Sequence, residues 1–150
     1  MSEDKITIQA YSLWEEAPSH LLAFDEENNF IHMDTLRVFG GAEKGMRPLK
    51  VMLASLGGCA AMDAVAIMRK MRLNLKGIAV EVEAEKEPES KPTRLTSIHM
   101  HFTVRGEALP PEKVEHALRL AVEKYCAVGQ IVRKAVPVSF SYEISGGKES

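Results

Sequence analysis

Residues 51–68 read VMLASLGGCAAMDAVAIM, with one charged residue, Asp63, and one thiol, Cys59, directly after Gly57 and Gly58. A chain that carries this run must find cover for it. A bilayer span needs roughly 20 apolar residues. This run is rich in alanine, is broken by the Gly-Gly pair, carries Asp63 and sits among amphipathic strands that themselves need a partner. It therefore reads as a buried helix and not as a membrane span. Pro48 suits the first helical turn, where its missing N–H is not needed. Arg69, Lys70 and Arg72 suit the last turns, where cations offset the negative end of the helix dipole. The helix is expected from Pro48 to about Arg72. Apolar residues surround nearly its whole circumference, so a single sheet face could not cover it. Either one chain packs both sides or a second copy covers the open one, and a homodimer is the expectation.

The flanking segments supply strands. Residues 5–14 alternate in their first half, and 20–35 read as two strands around a turn at Glu26–Asn29. Residues 36–47 hold three glycines and read as a loop. Ile78, Val80, Val82 and Ala84 share one face of a strand over 76–87, and Glu81, Glu83 and Glu85 take the other. A polar loop over 88–94 leads to a second alternating strand with Ile98, Met100, Phe102 and Val104 inward. Pro110 and Pro111 open a helix whose apolar stripe is Val114, Ala117, Leu118, Ala121 and Tyr125. A short helix over 127–135 and a strand over 136–145 follow. The order βββ-α-ββ-αα-β groups its strands in runs. That predicts an α+β fold with a mostly antiparallel sheet around a long buried central helix. The 150 residues suit one domain over 1–150, with 146–150 as a flexible tail.

A formal net charge of −2 gives no basic field for nucleic acid. The start, MSEDKITIQ, lacks the basic and apolar regions of a signal peptide, so a cytoplasmic location is expected. Cys59 and Cys126 form neither a CxxC nor a disulfide framework. In a reducing compartment a transient or catalytic disulfide is the better expectation than a structural one. Gly57 and Gly58 each weaken a helix interior by about 1 kcal/mol relative to alanine. They imply close approach by a neighbouring element or by a ligand above Cys59. Taken alone, Cys59 fits either a space-filling thiol or a reactive one. Asp63, one turn on, disfavours a thiolate there. Cys126 falls at the joint of two expected helices, where it is either a thiol buried at a helix turn or a thiolate stabilised by free N–H groups. His99 and His101 lie two apart on a strand, and two ligands are not a metal site; a solvated strand face accounts for them. His20, His32 and His116 are isolated in sequence. Met52, Met62, Met68 and Met71 follow helical spacing and read as core packing.

The segments PLKVMLASLGGCAAMDAVAIMRKMR and AVEKYCAVGQIVRKAVPVSFSYEI together resemble the OsmC/Ohr family, the osmotically inducible and organic-hydroperoxide-resistance proteins. The likeness is nearest to a subgroup with GGC-x-x-x-D and EKYC, and it extends from Pro48 to about Ile144. It implies an intertwined homodimer with the cysteine-bearing helices central. It also implies a thiol peroxidase acting on organic hydroperoxides in oxidative-stress defence. Cys59 would attack the peroxide and Cys126 would resolve the sulfenic acid to a disulfide. An external dithiol, supplied by a thiol reductant protein, would reopen it, with no bound cofactor and no metal. Leu49, Met52, Gly58 and Met62 are the candidates for a pocket that takes a small hydrophobic peroxide or ligand. In the peroxidases a Glu follows the helix-opening proline and pairs with an Arg that supports the thiolate. Here Leu49 and Lys50 follow the proline, so Arg37 and Arg47 are the candidate supports. Leu49 also motivates the alternative of a small-molecule-binding or redox-sensing protein of the same fold.

Overall fold

The computed structural model describes residues 4–146. The chain forms two compact units, one running to Met52 and the other starting at Leu53. In the first unit, β1 (Gln9–Trp14), β2 (Ala17–Phe24) and β3 (Phe30–Met33) form an antiparallel sheet in that order. The β2–β3 turn is built by Asp25. Its Oδ1 accepts the N–H groups of Glu27 (2.9 Å) and Asn29 (2.8 Å), and its Oδ2 accepts the Asn29 side-chain amide (2.8 Å). Asn28 takes a positive φ of 66°, which asparagine tolerates better than most residues. The expected turn is thus the observed one. The following glycine-containing loop includes a short 3-10 turn over Arg37–Phe39 and a single bridge between Met33 and Met46.

Helix α1 (Pro48–Lys70) begins in the first unit and continues in the second. The second unit adds β4 (Leu75–Lys86), β5 (Leu95–Gly106), α2 (Pro111–Leu120), α3 (Ala127–Val132) and β6 (Val138–Gly146). β4 and β5 pair antiparallel, and β6 pairs parallel to β5 because the chain crosses over through α2 and α3. The expected α+β order is present. Its strands divide between two three-stranded sheets, and of the strand pairings only β5–β6 departs from the antiparallel sense. Gly146 closes β6, and the rest of the expected tail, 147–150, lies outside the described residues.

The core of the second unit joins Leu56, Ala60, Ala64 and Met68 of α1 to the inward residues of β5 and to Val114, Ala117 and Leu118 of α2. These α1 residues recur at helical spacing and make one buried stripe. Gly57 belongs to it, and a Cβ there would stand 2.7 Å from Cγ2 of Val82. The close approach foreseen for the Gly-Gly pair is therefore made by Val82 and Val80 of β4 at Gly57. At Gly58 a Cβ would meet nothing within 4 Å. By length and composition α1 is apolar enough to cross a membrane. Within the chain it buries one side, and Met62, expected in the core, is 74% exposed. Alanine-rich sequence gives too little contrast around the helix to locate its covered face.

Tyr125 also departs from expectation. After Leu120 the helix widens into a π turn, Ala121–Tyr125, closed by the Cys126 N–H donating to the Ala121 carbonyl at 2.9 Å. The wider turn shifts the stripe, so Tyr125 is 54% exposed while Cys126 is fully buried.

Candidate functional site: a buried and a half-buried thiol

α1 presents Cys59 at the flank of its buried stripe, half-buried, with Asp63 one turn further on. The π turn delivers Cys126 to the N-cap of α3, where its sulfur accepts the Gly129 N–H at 3.2 Å and its S–H faces the Leu56 carbonyl at 3.9 Å. Cys59 is close enough to the Cys126 thiol to raise its pKa. Both cysteines are free thiols.

The pair is asymmetric. Burial, first, and the hydrogen bond with Cys59, next, push the Cys126 thiol up from 9.0 to about 11, and the charges of Cys59 and Asp63 add to this. The Gly129 N–H opposes the rise without cancelling it. Of the two readings of Cys126, the buried thiol is the one observed, and the thiolate favoured by a helix N-terminus is not. One N–H bond at the start of a six-residue helix is outweighed by desolvation and negative neighbours. Cys126 holds its proton at neutral pH and is fully buried, whereas Cys59 is half-buried.

Asp63, Ile67 and Lys70 continue the Cys59 side of α1 toward its C-terminus. With Leu120 and Tyr125 they line a cavity of about 440 Å3. Gly58 and Met62 line a separate apolar pocket of about 280 Å3, beside Ala61, Val65 and Ile78. Leu49 and Met52 fall in the first turns of α1, within the first unit. Arg37 and Arg47 belong to that unit too, and Arg37 is engaged by Glu43 at 3.2 Å.

Two histidine arrangements were not anticipated. His99 bonds to Ser139 (2.7 Å) and Ser141 (2.8 Å), and His101 bonds to Ser141 (2.7 Å) and meets Glu143 at 3.4 Å. The parallel pairing of β6 sets these serines beside the imidazoles, so the face read as solvated is a polar ladder. Among the described residues no group of three His, Cys, Asp or Glu side chains is placed to hold a metal. In the first unit His20, 2% exposed, sits 3.0 Å from His32 Nδ1 through its Nε2 and 3.6 Å from Asp34 Oδ2 through its Nδ1. Asp34 accepts the N–H groups of Thr35 (2.7 Å), Ala42 (3.0 Å) and Lys44 (2.9 Å). The signal for this cluster was present. The β2–β3 register that the Asp25 turn imposes, Leu21 opposite Met33, carries His20 to face Asp34.

A half-buried thiol against a fully buried, protonated one, on a long helix packed on a β4-β5-β6 sheet, defines a dithiol α+β protein. The family of OsmC-like proteins matches residues 40–141, and the chain belongs to that family. Protein YhfA of Escherichia coli K12 is 36% identical over 102 residues, covering 68% of this chain and 75% of that one. A hypothetical protein from Aquifex aeolicus VF5 shares the fold at a TM-score of 0.79 and 23% identity, over 97% of this chain and 99% of that one. An organic hydroperoxide resistance protein OsmC from Legionella pneumophila aligns at a TM-score of 0.68 and 15% identity, over 95% and 99%.

Proposed function

We propose that this chain is a thiol-dependent organic hydroperoxide reductase. The observation that carries the reading is the asymmetric dithiol, Cys59 half-buried and Cys126 buried and protonated, with Cys59 near enough to act on the Cys126 titration. Cys59, as thiolate, attacks the outer peroxide oxygen. The O–O bond breaks, the alcohol leaves with a proton, and Cys59 becomes a sulfenic acid. Cys126 then attacks that sulfur, gives up its proton, and water leaves as the disulfide forms. An external dithiol reduces the disulfide by exchange, and no bound cofactor is required. The chain acts in the cytoplasm as a homodimer. A second copy covers the apolar ridge of α1 that carries Met62 and Ala66, both exposed in one chain. Leu49, on the first turn, and the pairing of Arg37 with Glu43 favour a second reading, a small-molecule-binding or redox-sensing protein without fast turnover.

Treatment with cumene hydroperoxide should remove two titratable thiols per chain, and Cys59→Ser should abolish peroxide consumption. Equal consumption by wild type and Cys59→Ser refutes the reductase. Slow, single-turnover oxidation with no acceleration by an added dithiol selects the sensing alternative.

A further inference from the structure

We infer, resting on the reductase reading above, that Asp63 is a catalytic residue whose carboxylate accepts the O–H of the hydroperoxide and sets its outer oxygen against the Cys59 sulfur. Packing and helix chemistry leave Asp63 without another task. It sits inside α1 (Pro48–Lys70), nearer the C-terminal end. Aspartate is a poor helix former in an interior, and a negative charge gains nothing from the dipole toward that end. Asp25 and Asp34 are each held by backbone N–H groups. The Asp63 carboxylate accepts no hydrogen bond and joins no ion pair among the described residues. It is half-buried and borders the cavity of about 440 Å3. A carboxylate partly withdrawn from water with no donor is costly, and an incoming O–H supplies the donor.

The helix sets the distance. Asp63 follows Cys59 by four residues, which puts their Cβ atoms about 5–6 Å apart on one face. A reacting oxygen approaches its nucleophile to about 3–3.5 Å, and an O–H donates to a carboxylate over about 2.5–2.7 Å. The two add to about 6 Å, so a single peroxide oxygen bridges the two side chains. The Asp63 charge also reaches the second thiol, where it helps Cys126 to keep its proton. Carboxylate, Cys59 and Cys126 therefore share one neighbourhood. A carboxylate and a thiolate repel each other, and a substrate that brings a hydrogen between them relieves the repulsion.

The hydrogen of a hydroperoxide sits on the outer oxygen, the atom that the sulfur attacks. The Cys59 thiolate gives its electron pair to that oxygen, the O–O bond breaks, and the alkoxide leaves and takes a proton from water. Sulfur is oxidised and the peroxide reduced by the same two electrons. The hydrogen stays on the transferred oxygen, so the product is the Cys59 sulfenic acid with its O–H still donating to Asp63. When Cys126 attacks that sulfur, the oxygen leaves with its hydrogen and the Cys126 proton as water. Asp63 is not consumed in either step.

Two reagents with opposite demands test the role in the full chain, with the modified cysteine located by mass spectrometry. Cumene hydroperoxide carries the O–H; methyl methanethiosulfonate is a neutral thiol reagent with neither O–H nor N–H. Asp63→Ala should slow oxidation of Cys59 by the hydroperoxide about tenfold or more. It should leave modification of Cys59 by methyl methanethiosulfonate unchanged or faster, since it removes only a repelling charge. Asp63→Asn, which has the same shape and keeps a neutral carbonyl acceptor, should slow the hydroperoxide less than Asp63→Ala and carries the test if the alanine variant does not fold. A hydroperoxide rate unmoved in the variants, or both reagents slowed by the same factor, overturns the role of Asp63 while wild-type oxidation upholds the reductase. A wild-type Cys59 that cumene hydroperoxide does not oxidise overturns the reductase, and the role of Asp63 with it.

Discussion

Adjacent glycines in α1 should respond to the same substitution with opposite signs. At Gly57 a Cβ would stand 2.7 Å from Val82 Cγ2 and 3.2 Å from Val80 Cγ1. Carbon pairs are at their best near 3.5–4.0 Å, so Gly57→Ala forces about 1 Å of overlap on a β-branched side chain that is stiff at χ1. Overpacking of this kind costs about 1–3 kcal/mol, and the gain in helix propensity returns about 1 kcal/mol. Gly57→Ala should therefore lose about 1 kcal/mol. Gly58→Ala, whose Cβ meets nothing within 4 Å, should gain up to about 1 kcal/mol. The mechanism is isolated by a double-mutant cycle. Val82→Ala removes the opposing methyl, so in that background Gly57→Ala should become stabilising, a coupling of about 2 kcal/mol. Urea midpoints at one protein concentration, with unchanged slopes, measure all of these. A coupling below about 0.5 kcal/mol would refute the reasoning for Gly57. A loss at Gly58 equal to that at Gly57 would show that Gly58 is met by another surface.

Iodoacetamide at pH 8 should modify Cys59 well before Cys126, with the Cys126 rate climbing as pH approaches about 11; equal rates in the folded protein would contradict the burial argument. Because the folded Cys126 thiol titrates above its ordinary 9.0, its contribution to stability is complete below pH 9 and is lost as pH rises through about 11. Thermal melts of Cys126→Ala should therefore show a flatter alkaline limb than wild type, and parallel limbs would count against this. Burial raises the Asp34 carboxyl, but the N–H groups of Lys44, Thr35 and Ala42 and the nearby His20 outweigh it and hold the group below its ordinary value. Its contribution is present above that ordinary value and is lost as pH falls through the lowered one. Asp34→Asn should lower the melting temperature at pH 7, with the gap to wild type narrowing as pH falls below the ordinary value of 3.8. A gap that stays constant with pH would be the wrong outcome.

The sequence was most legible where one face of an element is covered and the other is wet. Ile98, Met100, Phe102 and Val104 alternate because β5 is buried on one side only, and the Asp25 turn was readable because its side chain folds back on its own backbone. Legibility failed where the deciding contact is not periodic. The π turn at Ala121–Tyr125 adds no residue type that marks it, yet it turns Tyr125 outward and Cys126 inward. His20 reads as isolated in sequence, yet the hairpin register sets it opposite Asp34.

The thiol pair shows what the fold adds to a motif. Resemblance joined Cys59 to Cys126, but resemblance does not say which sulfur keeps its proton. Packing does. The π turn places Cys126 where solvent cannot reach it, against Gly129, the Leu56 carbonyl and Cys59, and desolvation there favours the neutral thiol over the thiolate. A group that is buried and protonated is poorly suited to meet a peroxide arriving from solvent. It is well suited to wait beside a sulfenic acid and to lose its proton only as the S–S bond forms. On the proposed mechanism the division of labour therefore follows from burial, set by one widened helical turn. Straightening that turn by deleting one residue between Leu120 and Tyr125 should expose Cys126 and remove the asymmetry before it removes either thiol.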